Sequence, residues 1–137
     1  MYVEAYELLR EILDDGQLQD YVYRETGKHL AIINAGAQIT IPSARIVFGG
    51  GDITCSENIS QDVRYQVEFA LPFWGDNAFE RCHEFIDVAV KAFFEHEQRD
   101  NPIRVNRVIR LNPSITEQNE ESELWTVAFE VTVSIFI

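Results

Sequence analysis

Basic residues, cysteine, histidine and long apolar runs are all scarce in this chain, and each shortage excludes a class of function. Eleven Lys and Arg stand against 23 Asp and Glu, a formal net charge of -12, which repels phosphate backbones and acidic membrane surfaces and argues against general nucleic-acid binding. Two cysteines, Cys55 and Cys82, are too few for a disulfide framework and read as reduced core thiols. No stretch approaches the ~20 apolar residues that span a bilayer. The first residues, Met1 to Ala5, lack the basic segment and apolar run of a leader, so the protein is expected to stay where it is made. Three histidines, His29, His83 and His96, show no metal spacing with cysteine. The serines form no nucleophile elbow, and Asp52, Glu57 and Asp62 are not spaced as a calcium loop. The expectation is therefore no enzyme, no catalytic residue, no metal and no cofactor.

What is present is periodicity. Val63, Tyr65, Val67, Phe69, Leu71 and Phe73 alternate with mostly polar or small residues, and so, up to Ile135, do Trp125, Val127, Phe129, Val131, Val133, Ile135 and Ile137. A two-residue period sustained this long describes strands with one apolar face. A third strand is read around Ile103 to Leu111, with Arg107 interrupting its apolar row. Between the first two lies a helix, capped by Asp76, with Phe79, Cys82, Ile86, Ala89 and Phe93 as its buried stripe. An N-terminal helix presents Val3, Tyr6, Leu9 and Leu13 and ends at Gly16. Residues 17–28 fit either a second helix or an extended segment. The fold class follows: α+β, a mostly antiparallel twisted sheet with an N-terminal helix and one long central helix packed against it. At 137 residues, one domain, 1–137, holds enough buried surface to fold without staples.

The glycine triplet Gly49, Gly50 and Gly51, followed by Asp52, lacks the Lys-Ser/Thr of a phosphate loop and reads as a flexible hairpin turn. The stretch from Asn112 to Glu123, with Pro113 and the acids Glu117, Glu120 and Glu121, reads as an exposed mobile loop. These two segments are the candidate partner-binding loops. Arg104, Arg107 and Arg110 form a concentrated basic segment in an acidic protein, and Glu68 and Glu130 lie inside long strands opposite the apolar row. These five are candidate subunit-interface residues, because arginine's planar fork suits carboxylates on a neighbouring copy.

The order of elements, with the run Ile39-Thr40-Ile41-Pro42-Ser43-Ala44-Arg45-Ile46-Val47-Phe48-Gly49-Gly50, the Tyr65-Gln66-Val67-Glu68-Phe69 strand and a Trp125-bearing last strand, resembles the tail terminator (tail completion, minor tail) proteins of long-tailed bacteriophages and prophages. The resemblance implies monomers that assemble with copies of themselves as a hexameric ring on the tail tube protein, joining the tail to the head connector protein. It implies assembly in the bacterial cytoplasm and residence in the virion tail, with no membrane partner and with DNA passing through the ring without specific binding. The rival reading is a small ligand-binding or catalytic α+β domain, with a pocket lined by Trp74, Trp125 and neighbouring phenylalanines. A buried Glu68 or Glu130 beside His29 would favour that rival.

Overall fold

A computed structural model describes residues 2–36, 40–55, 59–73, 75–97, 105–119 and 124–136. The elements run α1 (Tyr2–Leu13), α2 (Gly16–Thr26), β1 (Ala31–Asn34), β2 (Ser43–Cys55), β3 (Ile59–Leu71), α3 (Ala78–Glu97), β4 (Val105–Asn119) and β5 (Leu124–Phe136). The strands form one sheet in the order β1-β2-β3-β5-β4. Every pairing is antiparallel except β1 with β2. The expected α+β class with a mostly antiparallel sheet is therefore observed, enlarged by α2 and by the short parallel strand. Among the described residues no helix is long and apolar enough to cross a membrane.

Alternation divides the sheet into two faces. Val63, Tyr65, Val67, Phe69 and Leu71 of β3 and Val127, Phe129, Val131, Val133 and Ile135 of β5 are buried beneath the helices. The alternate residues, among them the exposed Arg64, Gln66 and Glu130, turn to the opposite face, which no described helix covers. In α3 the buried stripe is Ala78, Cys82, Phe85, Ala89, Ala92 and Phe93. Phe79, placed in that stripe by its spacing, is 54% exposed, and Phe85 takes the central position instead. The helix begins one residue later than expected, with Arg81 N donating to Asn77 O at 3.0 Å. In α1 the buried residues are Ala5, Leu9, Ile12 and Leu13, while Val3 is 65% exposed.

Residues 17–28 are resolved by capping. Asp15 accepts from the backbone N–H groups of Gln17 and Leu18 at 3.0 and 3.2 Å, so it opens α2 rather than burdening the end of α1. Gly16 is the first residue of α2, not the terminator of α1. The terminating glycine is Gly27, at φ +76°, whose N–H reaches Tyr23 O at 2.8 Å. Gln19 then ties this helix to the entry of β1, donating to Leu30 O at 3.0 Å and accepting from Leu30 N at 2.9 Å. Replacing Asp15 by Ala should cost about 1 kcal/mol, read as a lower urea midpoint with unchanged slope; Asp15→Asn should recover most of it.

Arg81 joins α3 to α2 by an ion pair with Glu25 at 3.0 Å, and its guanidinium lies 4.3 Å from the centre of the Phe73 ring. Cys82 is fully buried and free, and burial pushes its thiol up to about 11. In a Cys55→Ser background, Cys82 should resist a thiol reagent at pH 8 and react at once in denaturant. The unfolded thiol, near 9, loses its proton first as pH rises. Stability should thus be full below pH 9 and decline between pH 9 and 11.

Candidate functional site: the helix-free face of the sheet

The uncovered face is built by register. Directly paired residues on adjacent strands share a face, so the pairings place Arg45, Glu68, Ala128 and Ser114 in one row across β2, β3, β5 and β4. The next row is Val47, Gln66, Glu130 and Asn112; a third is Gly50, Arg64, Thr132 and Arg110. A fourth holds Asp52, Asp62, Ser134 and Arg107.

The charges on this face are only partly matched. Arg64 pairs with Asp52 at 2.6 Å on an exposed edge, Gln66 donates to Glu68 at 3.3 Å, and Ser134 donates to Asp62 at 2.7 Å. With its amide turned to satisfy both ends, Asn112 donates to Leu111 O at 3.2 Å and accepts from Arg110 Nε at 3.0 Å. Glu130 is exposed and has no ion-pair or hydrogen-bond partner among the described residues. Arg45 stands beside Glu68 in register without an ion pair, its buried Nε unpartnered. Arg64, Gln66, Arg110, Asn112, Glu130 and Thr132 ring a shallow hollow of about 300 Å³. Such a surface presents guanidinium forks and a carboxylate to whatever lies against it, and each unpaired charge gains most from a partner that excludes water.

Of the expected interface residues, the structure brings Arg110 and Glu130 to the same hollow and sets Glu68 one row away, half-buried. Arg107 stands opposite Ser134, with its side chain outside the described part; Arg104 lies outside the described residues altogether. A bulge between Val108 and Arg110 explains the arginine spacing. It puts positions 107 and 110 opposite Ser134 and Thr132, two apart on β5 and so on one face. Sequence reasoning missed Arg64, although it occupies the polar half of a strand whose apolar half was plain, and Arg45, which lies in β2, a strand with no long alternating row.

The expected loops are corrected. Gly49, Gly50, Gly51 and Asp52 lie within β2, where the register shifts between Phe48 and Gly50. They form a bulge and not a hairpin turn. Gly50 has φ +104°, and a Cβ on Gly51 would come 2.9 Å from the Tyr2 ring; the glycines serve close approach and a left-handed kink inside a strand. The loop expected from Asn112 is likewise strand as far as Asn119, with Glu117 opposite Trp125. Pro113 is tolerated because β4 is an edge strand. Glu120 and Glu121 lie outside the described residues.

The aromatic pocket of the rival reading places Trp74 outside the described residues. Trp125 is half-buried with its ring 5.9 Å from that of Phe79. His29 is exposed and stacks on Tyr23 at 4.8 Å. The hollows bordering Glu68 and Glu130 do not include it.

No family model matches the chain. No curated protein matches it in sequence. Among solved structures it is similar to a chain in the virion of a native gene transfer agent particle, covering 97% of this chain and 92% of that one at 10% identity and a TM-score of 0.49. A likeness of that degree assigns no role to the chain.

Proposed function

We propose that this protein is a structural component of a phage-like virion, a tail terminator or completion protein rather than an enzyme. In this reading copies of the chain form a ring, hexameric by the family resemblance, that caps the tail tube and meets the head connector. It assembles in the host cytoplasm and ends in the virion tail. The observation that carries the reading is the helix-free sheet face, where Glu130, Arg110 and Arg45 stand on a surface already furnished with donors and acceptors yet have no ion-pair partner among the described residues. Charges of both signs on one face suit heterologous contacts between identical copies. The net charge of -12 suits a ring through which DNA slides, because an acidic lumen does not hold phosphates.

Mass photometry of the protein alone and with purified tail tube tests this reading. The expected result is a species of about six times the 15.8 kDa protomer mass, formed alone or on the tube. A strict monomer in both conditions would overturn it.

A further inference from the structure

Resting on the ring reading, we propose that the sheet itself is continued from copy to copy: the Val105–Asn112 half of β4 in one protomer adds, antiparallel, to the Phe48–Cys55 half of β2 in the next. Parts of β2 and β4 have backbone groups that face no described strand. β1 covers β2 only over Ser43–Ile46, and Ala35 N donates to Ile46 O at 3.1 Å. Beyond that point no described strand flanks β2. Backbone groups alternate in direction along a strand. Counted from Ile46 through the bulge, this leaves the N–H and C=O of Gly51 and Ile53 pointing away from β3. The same count carried across the sheet leaves Val108 and Leu111 of β4 pointing outward. Pro113 also falls on the outward side, where it has no N–H to offer, so it blunts the edge beyond Asn112.

The two free segments match. Val105 pairs with Phe136, Phe136 with Ser60, and Ser60 with Thr54, so both segments lie at the same end of the sheet and have about equal length. Their bulges also stand at one level, because Gly50, Arg64, Thr132 and Arg110 share a row. The kinks therefore run side by side. β2 and β5 point one way and β3 and β4 the other. A copy rotated about a ring axis therefore lays its β4 antiparallel to its neighbour's β2, a head-to-tail contact that closes rings.

Side chains agree with this occupant. Exposed Arg110 ends the bulge row on β4, and Asp52, 73% exposed and engaged on one oxygen by Arg64 of its own chain, lies two residues from Gly50 on the same face of β2. A diagonal cross-strand neighbour at ~7–8 Å is within reach of an arginine. On the helix side, Phe48 and Ile53 flank the β2 edge at 58% and 51% exposure. Phe94, also 58% exposed, lies on α3, which packs against β4.

The test compares the wild type with Ile53→Pro, which removes one outward N–H, with Arg110→Glu, with Asp52→Arg, and with the Arg110→Glu/Asp52→Arg double variant, each checked for folding by circular dichroism. Ring assembly should weaken at least ten-fold in each single variant and return in the charge swap. Amide exchange at Gly51, Ile53, Val108 and Leu111 should slow at least ten-fold in the wild-type ring relative to the protomer. If Ile53→Pro fails to fold, exposed Arg110→Glu and the exchange measurement decide. Rings that persist in Arg110→Glu with those amides unprotected would overturn the edge contact and leave the ring reading standing. A wild type that forms no ring, alone or with tail tube, would overturn both.

Discussion

Replacing Phe69 by Ala should lower the unfolding free energy by about 3–5 kcal/mol. Phe69 is fully buried at the centre of β3, opposite Ala44 and Val127. Its ring meets Phe85 of α3 edge-on at 4.8 Å and Phe129 of β5 edge-on at 5.8 Å. It is thus the point where helix and sheet are keyed together, and edge-to-face aromatic pairs add to simple burial. The void left by truncation is hard to close, because ladders on both sides hold the backbone of β3 in place. Collapse would have to come from α3 alone. Urea unfolding should show a lower midpoint with an unchanged slope, and Phe69→Leu should cost less than half as much. The Phe69→Ala/Phe129→Ala double variant should fall short of additivity, since each truncation removes the other's contact. A loss under 1 kcal/mol for Phe69→Ala would show that the aromatic cluster does not anchor the core.

Replacing Gln61 by Met should have the opposite sign, raising stability by about 1–3 kcal/mol. Gln61 is 1% exposed, and neither its amide oxygen nor its amide nitrogen has a hydrogen-bond partner among the described residues. It stands on the helix-side face opposite Ile135 and Ile53. A buried polar pair without partners pays its full desolvation cost and returns nothing. Methionine keeps the length and flexibility of the side chain and removes that cost. The check is a higher urea midpoint for Gln61→Met, with Gln61→Glu falling well below the wild type because a charge is costlier to bury than an amide. A destabilised Gln61→Met would show that the amide is satisfied in solution by water or by a neighbouring copy. Ile53, its pairing neighbour, belongs to the edge segment assigned to the ring contact, so measuring Gln61→Met in protomer and ring separates the two sources.

The strands were legible because their period is simple. The apolar rows of β3 and β5 are buried as alternation demands. Helical stripes were less legible, since 3.6 residues per turn leaves several adjacent rows with similar hydrophobicity. Packing chose Ala5 over Val3 in α1 and Phe85 over Phe79 in α3. Turn signals were the least reliable. Gly16, the glycine triplet and Pro113 all signal breaks by residue type, yet Gly16 opens a helix, the triplet kinks a strand and Pro113 lies within an edge strand. A glycine or proline states what backbone geometry is permitted; the neighbouring strand decides whether that geometry is a turn or a bulge.

The candidate face divides in the same way. Glu68 and Glu130 could be assigned to the outward face from alternation alone, and the acidic balance and lack of reactive constellations came from composition. Which charges meet could not. Arg110 reaches the hollow beside Glu130 because a bulge at Val108–Arg110 shifts the register by one residue, a change invisible to a two-residue count. The sequence by itself therefore determined the fold class and the two faces of the sheet, because those depend on local period. Only the tertiary structure decided the rows, the free edges and the unpaired charges, because these depend on which strands lie side by side and where each ladder slips.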